Sequence, residues 1–120
     1  MAFCTFKTEN IISEGIVVKK NGSFVLPNDN SSDSLIVGIV TRSYQDEEGN
    51  NYSEVHLGGG VVSSMLKEDW DGNWSPITVS EEGVKPASEN EQYHGYLIPS
   101  LPITAKLSGE MVNIYWRGVV

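Results

Sequence analysis

Apolar and polar residues alternate along this chain in short runs, and no stretch keeps the 3.6-residue spacing of a long amphipathic helix. Val, Ile, Thr, Tyr and Trp concentrate in the runs, while Gly, Asn, Asp and Pro separate them. The pattern predicts an all-β fold, a small antiparallel β-barrel or sandwich with at most one short helix. Residues 15–20 and 23–27 flank Asn21-Gly22, a dipeptide that accepts positive φ and marks a tight hairpin. A polar stretch, 28–34, leads into the most apolar run, 35–40, which reads as a central strand continuing through Tyr44. After a turn at 46–51 the chain returns as 52–57, whose alternation gives one buried and one wet face.

Gly58-Gly59-Gly60 interrupts the pattern as a bulge, a sharp bend or a close chain approach. Residues 61–69 read as a strand running into one short helix, with Ser63-Ser64 capping Met65-Leu66-Lys67-Glu68. Residues 77–79 form a brief strand. Residues 81–95, acidic and poor in large aliphatics, read as an exposed loop or arm, and 96–99, 101–107 and 111–117 supply the closing strands. The prolines at 99 and 102 belong at strand ends or on an edge. No internal repeat and no linker is visible, so 15–120 is read as a single β-rich domain.

Composition narrows the function classes. With 16 acidic against 8 basic residues the formal net charge is −8, which argues against nucleic acid and against an anionic membrane surface. The apolar runs are about a third of the ~20 residues a spanning helix needs. The start, Met1 to Lys7, lacks the charged and apolar regions of a secretory signal, so the protein is expected to be made in the cytoplasm. Cys4 is the only cysteine, which excludes an intramolecular disulfide and a Cys-rich metal site; it reads as a small buried hydrophobe.

Candidate chemistry is sparse. Ser64-Met65-Leu66-Lys67 matches the S-x-x-K string of serine β-lactamases but lacks their further motifs. His56 shares a strand face with Glu54 and reads as a cross-strand or subunit contact, and His94 reads as solvated. Asp69, Asp71 and Asn73 imitate the start of an EF-hand loop, yet Trp74 and Ser80 stand where its glycine and closing glutamate belong. The alternative is a turn held by Asx hydrogen bonds. Trp70, Trp74, Tyr93 and Tyr96 either cap the core or fill an interface, or they form a stacking platform for a sugar. No catalytic, cofactor-binding or metal-binding residue is assigned, and a non-enzymatic role is expected.

The order Gly15-Ile16-Val17-Val18, a hairpin, a Ser/Asp-rich loop, Ser34 to Val40, a turn and Val55-His56-Leu57-Gly58-Gly59 resembles small tailed-bacteriophage structural proteins of the capsid decoration (cement) or head-fibre type. The resemblance covers about residues 15–62. It implies a virion protein of the outer capsid surface, made in the host cytoplasm, that locks neighbouring copies of the major capsid protein together, commonly as a homotrimer and without a cofactor. Under it, residues 1–14, with Phe3, Phe6, Ile11 and Ile12, are either an N-terminal docking arm or an ordinary first strand. Together with Trp70 and Trp74 these are the expected partner contacts. The alternative function is a glycan-binding module or receptor-binding fibre domain.

Overall fold

Every second side chain of the last strand, Met111–Trp116, is buried, namely Val112, Ile114 and Trp116, while those between them face solvent. This period of two governs most of the chain and yields the predicted all-β fold. The computed structural model describes residues 2–29 and 35–118, and most of the expected polar loop, 30–34, lies outside the described residues.

Strands β1 (Ala2–Thr8), β2 (Val17–Asn21), β3 (Phe24–Pro27), β4 (Ile36–Gln45) and β5 (Asn51–Gly58) close into a barrel in the order β1-β3-β2-β4-β5. All neighbours are antiparallel except β1 and β3, which meet in parallel at Lys7 and Phe24. Strands β6 (Gly60–Met65), β7 (Ser75–Ser80), β8 (Gly83–Pro86), β9 (Gly95–Leu97) and β10 (Met111–Trp116) form a second sheet, β6-β10-β9-β7-β8. Its outer strands are joined by a parallel bridge between Leu66 and Val84, where the Lys67 N–H donates to the Val84 carbonyl at 2.8 Å.

The second unit repeats the first. Matching β6–β10 to β1–β5 in order reproduces every neighbour and every direction, including the parallel seam between the first and third strands. The register of one hairpin repeats as well: Val18 opposite Pro27 on β2 and β3 recurs 59 residues on as Ile77 opposite Pro86 on β7 and β8. The Asn28 N–H donates to Val17 O at 2.9 Å, as the Ala87 N–H does to Pro76 O at 2.8 Å. Gly38 on β4 and Gly95 on β9 lie where a Cβ would overlap the carbonyl oxygens of His56 and Tyr115 on the neighbouring strands.

The first barrel is filled by Ile12, Ile16, Val18, Val25, Val40 and Val55. The second core contains Leu66, Trp70, Ile77, Leu97, Ile114 and Trp116, and it also takes in Val17 and Ile39 from the first unit. Polar ties cross the same contact. The Gly15 carbonyl accepts from Met65 N–H at 2.9 Å and from the Ser64 hydroxyl at 3.1 Å, and the Asn28 amide donates to Ser80 O at 2.9 Å. The chain passes between units at Gly58 to Gly60, where Gly59 has φ 86° and donates to Trp116 O at 2.7 Å.

Several expectations are corrected. No helix forms among the described residues at 65–68, because Ser63 to Met65 pair with β10 and the next N–H groups, of Leu66 and Lys67, donate to Glu110 and Val84 across the sheet. Residues 81–95 are not one exposed arm: Glu81 and Glu82 turn the β7–β8 hairpin, and Val84 on β8 is a core residue. Residues 101–107 form no strand; this segment touches a sheet partner only through Lys106 and Trp70. Cys4 is exposed, since on β1 only Phe6 and Thr8 are drawn inward. The first hairpin turns at Gly22-Ser23, one residue later than expected, with Asn21 already paired to Phe24.

Candidate interaction surface

Cross-strand pairing sets four residues in one row on the outer face of the second unit. Val61 on β6 pairs with Tyr115 on β10, Tyr115 with Tyr96 on β9, and Tyr96 with Pro76 on β7. Paired residues share a face, and this face is open: Val61 is 56% exposed and the two tyrosines 40% each. Tyr93 adds a ring whose centroid is 5.8 Å from that of Tyr96. The Arg117 guanidinium lies 5.3 Å from the Tyr93 ring centroid and donates to the Tyr93 carbonyl at 2.7 Å, which pins the loop against the sheet. A hydrogen bond with Tyr93 is the main cause that raises the Tyr96 phenol above its usual pKa of 10.0.

A second apolar feature is the irregular segment before β10. Leu101 is 95% exposed, and Ile103 and Leu107 also stand in solvent. Thr104 O and Ala105 N crowd the place of a Cβ on Gly72, so the segment packs closely beside the 71–73 turn.

That turn divides the two tryptophans. Trp70 is 6% exposed in the second core and donates from Nε1 to Asn73 O at 2.7 Å, whereas Trp74 is 68% exposed. Trp74 borders a shallow cleft of about 330 Å³ with Asp69, Asp71, Ser75 and Pro86. Asp71 accepts from Asn73 N–H at 2.9 Å, an Asx turn, and Asp69 accepts from Ser108 N–H at 2.9 Å. Among the described residues, no three His, Cys, Asp or Glu side chains converge as a metal site.

The remaining sequence candidates are dispersed. Phe3 is exposed on β1 with its ring edge-on to His56 at 4.8 Å, and Phe6 packs half-buried on the first core. Ile12 is buried in that core, while Ile11 is exposed at a cleft of about 140 Å³ shared with Asn21, Phe24, Leu26 and Pro27. The Ser64 hydroxyl is buried on Gly15 O, which gives it a structural role. His94 is buried rather than solvated: its ring centroid is 6.0 Å from that of Trp116, and its backbone N–H donates to Ile77 O at 2.8 Å. Val61, Tyr115 and the 101–107 leucines escaped the sequence reading, although the alternation Met111-Asn113-Tyr115 carried the signal for an outward face.

No protein-family model matches the chain, and no match to it is found among curated proteins.

Proposed function

We propose that the protein is a non-enzymatic virion structural protein that binds the outer capsid surface, as a decoration or head-fibre protein, by packing its exposed apolar segment onto the major capsid protein. The observation that supports this is the display of Leu101, Ile103 and Leu107 within seven residues of irregular backbone outside both cores. A single exposed leucine is ordinary, but a cluster held on a segment anchored by Trp70 and Gly72 fits the apolar centre of a protein interface. The resemblance of residues 15–62 to tailed-phage surface proteins supplies the partner class.

Cosedimentation with capsid shells of the encoding phage, stripped of this protein, tests the reading. Saturable binding is expected, with at least a tenfold loss for Leu101→Asp/Leu107→Asp, which alters two exposed side chains and spares both cores. Failure of the unaltered protein to sediment with the shells overturns the proposal. A second reading, a glycan-binding module, is favoured by one feature: an exposed indole beside two carboxylates in the Trp74 cleft, an apolar platform with hydrogen-bond acceptors at its rim. Glycan-array binding that disappears in Trp74→Ala is its expected signature; an array without signal removes it.

A further inference from the structure

The repeat supplies a template for a second interface. On the first barrel, Val17, Ile39, His56 and Phe3 form a cross-strand row over β2, β4, β5 and β1. The row of Pro76, Tyr96, Tyr115 and Val61 occupies the equivalent strands β7, β9, β10 and β6. These rows meet different fates. Val17 and Ile39 are fully buried in the second core and His56 is 1% exposed, with Phe3 at the end of the row 46% exposed, whereas the second row faces solvent along its whole length.

The Val17 end of that row packs at a particular place, the parallel seam of the second unit. There Gly15 and Val17 reach both sides: Gly15 accepts from Met65 at the end of β6, and the Val17 N–H donates to Glu82 O in the β7–β8 turn at 3.2 Å. The equivalent seam of the first barrel, between β1 and β3, is open. It holds the 140 Å³ cleft lined by Ile11, Phe24, Leu26 and Pro27. Matching Phe3 to Val61 sets Ile12 in the place of Trp70, each buried in the core of its own unit, and Ile11 beside Ile12 is left exposed at the cleft. The molecule therefore presents an unused face at one end and an unused seam at the other, and its own two units show how such surfaces fit.

We infer that copies of this chain associate head to tail, with the Tyr96–Tyr115 face of one copy packed on the β1/β3 seam of the next. Such a heterologous contact builds a ring if the rotation closes and an open series if it does not. The contact between copies is weaker than the one within the chain. Pro76, in the place of Val17, has no N–H to give, and Ala87, in the place of Asn28, has no side-chain amide, so two of the internal polar ties have no counterpart. What remains is aromatic and apolar packing, and assembly is concentration-dependent. This inference is independent of the capsid reading, because Leu101 and Leu107 take no part in it.

Light scattering coupled to size-exclusion chromatography is the test, run over a concentration series in 0.5 M salt, where repulsion between copies of net charge −8 is screened. The mass is expected to rise with concentration above the 13.2 kDa of one chain. Tyr96→Glu on the face and Ile11→Glu at the seam, both exposed and away from the cores, each hold the mass at that of one chain. An equimolar mixture of the two variants restores a single intact contact and gives a species of two chains and no larger. A mass of one chain at every concentration, an unchanged distribution in Tyr96→Glu, or a mixture that stays monomeric overturns the inference.

Discussion

Lowering the pH from 7.5 to 5.5 is expected to remove stability through two histidines whose burial disfavours the protonated ring. His56 is buried on β5 with its ring against Phe3, and neither ring nitrogen has a hydrogen-bond partner among the described residues. Burial pushes its pKa below the usual 6.5. His94, behind Trp116, is lowered for the same main reason; the nearby Arg117 charge adds to the effect and a hydrogen bond with the Gly118 backbone opposes it.

The sign is fixed by linkage. The unfolded chain takes up a proton at each histidine near pH 6.5 and the folded chain resists it, so the stability is fully present above that value and falls as the pH drops toward the folded pKa. By pH 5.5 the loss has an upper limit of about 1.4 kcal/mol for each histidine, the value for a ring that takes up no proton in the fold, and about 2.8 kcal/mol for two. That is a sizeable share of the ~5–15 kcal/mol of a typical domain. Carboxylates act in a separate window. Hydrogen bonds lower the pKa of Asp46, chiefly from the Asn50 backbone, and of Glu91, chiefly from the Ser88 hydroxyl, so their stabilisation is lost only as the pH falls below about 4.

Urea titrations followed by tryptophan fluorescence at pH 7.5, 6.5 and 5.5 measure the effect. His56→Leu, which replaces an unpartnered buried ring by an apolar side chain, is expected to be neutral or stabilising at pH 7.5 and to halve the decline. A stability that is flat from pH 7.5 to 5.5, or a slope unchanged in His56→Leu/His94→Leu, refutes the reasoning.

Three further outcomes follow from the repeat. Ile39→Ala and Tyr96→Ala alter equivalent positions of the two units, yet the first removes a fully buried side chain and is expected to cost about 2–4 kcal/mol, the second under about 1 kcal/mol in the monomer, both read by urea unfolding. Gly95→Ala drives a Cβ into the Tyr115 carbonyl and is expected to lower the melting temperature far more than Gly22→Ala, where only a φ of 62° opposes the side chain and about 1 kcal/mol is lost. Trp70→Phe deletes the hydrogen bond to Asn73 and part of the second core at a cost of about 1–3 kcal/mol, while Trp74→Phe leaves the unfolding midpoint within error.

What the sequence made legible was local. The β4–β5 hairpin was readable because Ile36 to Gln45 and Asn51 to Gly58 carry the alternation themselves, and Asp46 closes the turn by accepting from the N–H groups of Glu48 and Asn50. Residues 63–68 misled because a Ser-Ser cap and a four-residue helix former are also local signals, and the partners that override them, on β10 and β8, lie far along the chain. His94 misled for the same reason: its acidic neighbours are exposed, and only its approach to Trp116, distant in sequence, shows it to be buried. Burial of the two tryptophans, four residues apart, is decided by a turn whose direction no periodicity encodes.

The repeat escaped notice on deeper grounds. A backbone topology can be conserved while the demands on its surface diverge, and here the two units answer opposite demands at matched positions. Val17 and Ile39 must be apolar because a core lies over them; Pro76 and Tyr96 must tolerate water. Lys7 meets Phe24 at the first seam and Leu66 meets Val84 at the second, one residue out of step with the strand pairing that matches Val25 to Val84. What persists is what the backbone itself requires: Pro27 and Pro86 as the last residues of equivalent strands, Val25 and Val84 facing inward, Gly38 and Gly95 where neighbouring carbonyls leave no room. Two units of one topology that hide and show the same face cannot share side chains there, and that face of the second unit is the one through which the chain is expected to meet its neighbours.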